Sequence, residues 1–95
     1  MLEIEISLLA KDELENAVEY YNLQQANLGD NFKISVKKVV DSIYENPKLY
    51  PKVTDELRRV VIYKFPYSLY YTILVDKIIV ISIAHQHRKP FYKIY

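Results

Sequence analysis

The chain reads as an α+β domain of order β-α-α-β-β-β, a helical hairpin packed on one face of a small, mainly antiparallel sheet. Three observations predict it. Apolar residues alternate over Leu2–Ser7, recur at helical spacing from Leu9 to Ile43, and alternate again in three runs between Leu57 and Ala84. Helices grouped before strands give an α+β layer arrangement. The length of 95 residues makes one domain, residues 1–95, large enough to bury a core without metal or disulfide. An apolar content of 51% argues for a packed globule and against disorder.

In the first strand Leu2, Ile4 and Ile6 alternate with Glu3, Glu5 and Ser7, the pattern of a half-buried strand. The period then becomes helical. Ala10, Leu14, Ala17, Val18 and Tyr21 share one face while Lys11, Asp12, Glu15 and Glu19 point out. Acids are expected in the first turns, where the helix dipole favours them. Asn27 is the expected N-cap of the second helix, with Asp30 three residues on as a variant capping box. Leu28, Phe32, Val36, Val39, Val40 and Ile43 form its apolar stripe, and Asn46-Pro47 ends it because proline pushes the preceding residue out of the helical region. Lys48–Glu56 has no periodicity and reads as a loop. Strands are expected over Leu57–Phe65, Tyr67–Val75 and Ile78–Ala84, with Pro66 marking the first turn and Asp76-Lys77 the second.

Charge is divided unevenly along the chain. Residues 1–30 hold seven acids against Lys11, and residues 31–95 hold twelve bases against five acids. The net +1 therefore conceals an acidic front and a basic back. From Leu57 to Tyr95 there are seven Lys or Arg and one acid, Asp76, and the last strand ends in His85-Gln86-His87-Arg88-Lys89-Pro90. Such an end suits a polyanion; uneven solvated faces are the plainer reading of the same residues. With no cysteine there is no disulfide framework and no thiol nucleophile. The N-terminus lacks the features of a signal peptide, and no apolar run reaches the ~18 residues of a membrane span. A cytoplasmic protein without membrane contact is expected.

Ten tyrosines are another marked feature. Tyr20, Tyr21 and Tyr44 are expected in the helix–sheet core with hydroxyls at its rim. Tyr63, Tyr67, Tyr70 and Tyr71 alternate along strands, so some are expected on the sheet face that the helices leave uncovered, ready for a partner's apolar side chains or for bases. His85 and His87 are two apart but have no third ligand nearby in sequence, so neither a metal nor a cofactor is expected.

Ordered segments along the chain carry a family resemblance. They are Ala10-Lys11-Asp12-Glu13-Leu14 with Tyr20-Tyr21, Leu28-Gly29-Asp30-Asn31-Phe32, Ile43-Tyr44-Glu45-Asn46-Pro47 with Tyr50-Pro51, Arg58-Arg59, Phe65-Pro66-Tyr67-Ser68-Leu69-Tyr70-Tyr71, and Ala84-His85-Gln86-His87-Arg88-Lys89-Pro90. In their order and spacing the chain resembles the RelE/ParE superfamily of bacterial type II toxins, in particular its plasmid stabilisation branch. The resemblance implies the same β-α-α-β-β-β fold and a toxin that inhibits growth until a cognate antitoxin wraps it. That complex, rather than the toxin alone, would contact operator DNA. Two targets exist in the superfamily: RelE-like members cleave mRNA on the ribosome, and ParE-like members inhibit DNA gyrase. A degenerate, non-toxic member would keep only antitoxin binding and operon regulation.

For mRNA cleavage the fold needs a base for the ribose 2′-hydroxyl, cations for the charged phosphorane and an acid for the leaving oxygen. Arg59 and Arg88 are the candidates for the cations, His85 or His87 for the proton carrier, and Tyr92 for stacking a base or donating a proton, with Arg59, His85, Arg88 and Tyr92 the expected catalytic set. Guanidinium groups match phosphate bidentately, imidazole moves protons near neutral pH, and tyrosine stacks a base or donates a proton. Arg58, Lys64, His87, Lys89 and Lys93 would add target-binding contacts. Arg58 and Arg59 face opposite ways on a strand, so one of the two is expected at any given site. RelE-like nucleases commonly carry an arginine on the middle strand just after the turn; this chain has Ser68 there. Serine cannot supply that charge.

Overall fold

The computed structural model describes residues 2–87. Its elements are β1 (Glu3–Ile6), α1 (Leu8–Gln24), α2 (Leu28–Glu45), β2 (Arg58–Val61), β3 (Tyr67–Ile73) and β4 (Lys77–His85). The expected α+β order holds. The four strands form one sheet in the order β1-β4-β3-β2. β1 runs parallel to β4, and the other two pairs are antiparallel. Glu3 lies opposite Lys77, and the Glu5 carboxylate reaches within 3.6 Å of the Lys77 ammonium.

Ser7 starts α1. Its Oγ accepts from the Ala10 N–H at 3.0 Å and donates to the Ile81 carbonyl at 2.8 Å, so one hydroxyl caps the helix and ties it to β4. The helix begins one residue earlier than expected, at Leu8, and its first turn contains no acid. The acids fall one turn later and make little use of the dipole.

Asn27 occupies the N-cap position of α2, but it sits at φ 69° and its side chain makes no capping bond. Asn22 of α1 serves instead. Its Oδ1 accepts from the Gly29 N–H at 2.7 Å, and its amide leans toward Asp30 at 3.5 Å. Gly29 is required by proximity: a Cβ there would stand 2.1 Å from the Val18 carbonyl oxygen. The expected α2 stripe is inward, with Phe32, Val36, Val39 and Ile43 buried, and the helix stops at Asn46 ahead of Pro47.

β2 and β3 are shorter than their expected bounds, and β4 extends one residue further at each end. β2 ends at Val61, and Ile62–Pro66 forms the turn, with Lys64 at φ 70° and the Ile62 N–H bonded to the Tyr67 carbonyl at 2.9 Å. The second hairpin turns over Leu74, Val75 and Asp76, closed by Leu74 N–H to Lys77 O at 2.8 Å, so Lys77 already belongs to β4. The 46–57 segment is anchored. Tyr71 donates its hydroxyl to Pro47 O at 2.6 Å, Arg59 N–H bonds Pro51 O at 3.1 Å, and Lys52 bridges Arg58.

A β-bulge decides which way β4 faces. Tyr70 pairs with Ser82 and Tyr71 with Val80, leaving Ile81 as the extra residue. The buried positions of β4 accordingly switch from Ile78 and Val80 to Ile83. On β3, Tyr67, Leu69 and Tyr71 face the core. Tyr21, Phe32, Phe65 and Tyr67 form an aromatic cluster there, Phe32 and Phe65 lying edge-on at 4.9 Å.

Two expectations about tyrosine need correction. Tyr20 and Tyr44 are exposed at 56% and 42%, so of the three helical tyrosines only Tyr21 joins the core. They sit beside the apolar stripe rather than on it. Tyr70, opposite Arg59, does lie on the face away from the helices, but it is buried rather than open there; Tyr67 and Tyr71 face the core, and Tyr63 alone of the four is well exposed.

Candidate functional site

The described candidate residues fall at three places on the sheet. Arg58, at the start of β2, points to the 46–57 segment. Its Nη1 donates to the Tyr50 carbonyl at 2.6 Å and the Lys48 carbonyl at 3.2 Å. A guanidinium so engaged holds the loop down, and it also lies beside the Tyr71 hydroxyl. Burial raises the Tyr71 pKa above the ordinary 10.0, while the Arg58 charge acts in the opposite direction.

Arg59 is the next residue and faces the other way. Val60 is buried toward the helices, so Arg59 and Val61 lie on the opposite face, where both are exposed. Arg59 stands opposite Tyr70 in the ladder.

His85 ends β4 opposite Tyr67, and the bulge turns it to the helix side. Its ring stands edge-on to Tyr67 at 5.1 Å. Its Nδ1 accepts the backbone N–H of His87 at 3.1 Å, and the two imidazoles are 5.1 Å apart. Lys64 lies in the Ile62–Pro66 turn, at the same end of the sheet, with its ammonium 5.5 Å from the Tyr63 ring centroid. Gln86 N–H to Pro66 O, at 2.7 Å, joins the β4 end to this turn.

Thus the sheet's end brings Lys64, His85 and His87 into one neighbourhood and leaves Arg59 outside it. β3 lies between Arg59 and His85. The strand spacing separates them by about 10 Å sideways and the three-residue stagger by about 10 Å along the sheet. They also face opposite sides. Arg88, Lys89, Tyr92 and Lys93 lie outside the described residues. Ser68, where the nuclease arginine would stand, is 2% exposed and paired with Ala84 and Val61. Among the described residues no group of three His, Cys, Asp or Glu side chains could hold a metal, and no helix is long and apolar enough to cross a membrane.

Sequence reasoning missed Glu13. Its Oε1 accepts from the Ser82 hydroxyl at 2.7 Å and from the Ile83 N–H at 2.9 Å. β1 stops pairing at Ile6, so β4 has an unpaired edge beyond Val80, and Glu13 takes the place of a neighbouring strand there. The signal was present: Glu13 stands three residues after Ala10 and four before Ala17, on the inward side of α1.

The sequence matches the family model described as ParE toxin of type II toxin–antitoxin system, parDE, over residues 4–90. No curated protein matches the chain. Among solved structures, the chromosomal ParDE toxin–antitoxin system of P. aeruginosa aligns with TM-score 0.67 and 13% identity, covering 90% of this chain and 96% of that one. The isolated E. coli RelE toxin aligns with TM-score 0.61 and 16% identity, covering 97% of this chain and 92% of that one. At these identities the structures share the fold, and the family model carries the assignment. The chain belongs to the ParE toxin family of type II toxin–antitoxin systems.

Proposed function

We propose that this chain arrests bacterial growth by binding DNA gyrase, rather than by cutting mRNA on the ribosome, and that a cognate antitoxin neutralises it in the cytoplasm. Among the described residues, the observation that favours this target is the divergence of His85 from Arg59, the described arginine expected to clamp the phosphate. A phosphoryl-transfer site needs its cation and its proton carrier within reach of one phosphate, a few ångströms apart. Here the two lie on opposite faces with β3 between them. The buried Ser68 supports the same reading, because an arginine-sized side chain would have to displace packed neighbours there. A toxin that works by binding needs surface and charge, and it tolerates both features.

The purified chain is expected to inhibit supercoiling by gyrase, and its induction to leave mRNA ends unchanged in primer extension. New ribosome-dependent mRNA ends with normal supercoiling would replace this reading with the nuclease one. Normal growth at confirmed soluble expression would remove the toxin activity altogether.

A further inference from the structure

The hairpin that joins β3 to β4 ends in an apolar tip. Ile73 pairs with Ile78, and Leu74 N–H bonds Lys77 O at 2.8 Å, so Val75 and Asp76 fill the two central positions of the turn. Tight hairpins favour Gly, Asn or Asp at such positions. This chain places a β-branched aliphatic residue at the first of them. Val75 is fully exposed and Leu74 is 42% exposed, so burial within the chain does not account for the pair. The tip is also held in place. β3 and β4 pair from Tyr67–His85 to Ile73–Ile78, and the Thr72 hydroxyl donates to the Glu56 carbonyl at 2.7 Å just before the turn. Leu74 further lines a cleft of about 340 Å³ whose walls include Lys48, Lys52, Asp55, Glu56 and Arg58. The result is an apolar knob beside a rim of both charges.

We propose that Leu74 and Val75 anchor the chain to DNA gyrase, entering an apolar socket on that enzyme while the charged rim meets polar groups around the socket's mouth. The inference rests on the reading that gyrase is the target, and it specifies the contact. Apolar residues ringed by polar ones carry most of the energy of a protein interface, and a knob already fixed in the free protein loses little entropy on docking. The tip also lies at the end of the sheet away from Lys64, His85 and His87, so it is separate from the residues expected to act on RNA. Charge and area select the occupant. The cleft mixes three bases with two acids, and Asp76 stands in the turn itself. No field of one sign gathers a nucleic acid or an anionic membrane there, whereas a protein surface can answer both signs. Two copies meeting tip to tip would bury two side chains each, far below the roughly 800 Å² per partner of a stable interface.

The test is inhibition of gyrase supercoiling by the purified chain, with retention on immobilised gyrase as a second readout. Val75→Asp is expected to raise the concentration for half inhibition by about tenfold, with growth arrest falling in parallel. Val75→Thr keeps the branched shape and should weaken inhibition by a smaller factor, so it stays informative if the aspartate disturbs the turn. Leu23→Asp is the control. Leu23 is 79% exposed on α1, close to the Tyr21–Phe65 end of the molecule, and its substitution should leave inhibition unchanged. Unchanged inhibition in Val75→Asp, or an equal loss in Leu23→Asp, would overturn the proposal. So would a dimer that Val75→Asp dissolves in sedimentation, or Val75-dependent binding to phosphatidylglycerol vesicles, either of which gives the tip another occupant. An unsubstituted chain that leaves gyrase active overturns the functional reading and the anchor with it, whereas an active chain indifferent to its tip overturns the anchor alone.

Discussion

The two sides of this sheet are finished in different ways. On the β1 side the chain closes its own ladder: Ser7 bonds Val80 and Ile81, and Glu13 binds the Ser82 hydroxyl and Ile83 N–H where β1 has ended. On the β2 side Pro51 accepts the Arg59 N–H, and among the described residues Val61 beyond it is half exposed beside Lys38. An unpaired strand edge invites association, and proteins suppress it with charge, cover or shortness. The first side uses acids and cover. The second is short and carries bases, which repel a like strand. The uneven charge of the sequence thus corresponds to two edges of opposite charge.

The comparison requires both edges to stand on one core. Phe32 is fully buried and contacts Tyr21, Phe65 and Tyr67. Phe32→Ala should cost about 3–5 kcal/mol, and both edges should be lost together in denaturant unfolding. Separate transitions for the two sides, followed by amide exchange, would break the picture of one cooperative unit.

A smaller effect is expected at the closed side. Glu13→Ala removes the acceptor for two donors and should cost about 1–3 kcal/mol. It should speed amide exchange at Ile83 while leaving Val61 unchanged. If Ile83 stays as protected as before, Glu13 does not act as a surrogate strand.

At the β2 side the cover itself can be titrated. Tyr71 donates its hydroxyl to Pro47 O, and burial raises its pKa above 10.0; burial likewise raises Tyr21. A raised folded pKa favours the neutral hydroxyl, so this stability is fully present below pH 10 and is lost as the pH rises through the folded value. Thermal melts should fall in alkali, less steeply for Tyr71→Phe. A melt unchanged by that substitution would remove Tyr71 as the alkaline latch of the cover.

The smallest change is expected from Glu5→Gln. The Glu5–Lys77 pair is 3.6 Å long with side chains 59% and 34% exposed, so its loss should alter stability by less than about 1 kcal/mol. A larger effect, read by chemical denaturation, would mean that the acidic edge is held by ion pairing more than by its backbone ladder.

Much of the fold was legible because it is written locally. The helical stripe from Leu28 to Ile43 and the stop at Pro47 follow from period and proline alone. What was hidden depends on residues far apart in sequence. The parallel pairing of β1 with β4, the cap that Asn22 lends to Gly29 and the reach of Glu13 to Ser82 have no local signature. The bulge at Ile81 sits within Val80-Ile81-Ser82-Ile83, a run with no Gly or Pro to announce it, yet it determines which side His85 takes. Arg58 looked like Arg59 in sequence, and only the loop carbonyls of Lys48 and Tyr50 separate their roles.

The central claim is that Arg59 and His85 do not form one catalytic unit, and a double-mutant cycle on growth inhibition tests it most directly. Arg59→Ala, His85→Ala and the double variant are titrated for the expression level that halves growth rate, at matched folded protein. Independent residues change that level by factors that multiply, and that is the result expected from their separation. A double variant no worse than either single one would show that they act together on one reacting group, and would contradict the account.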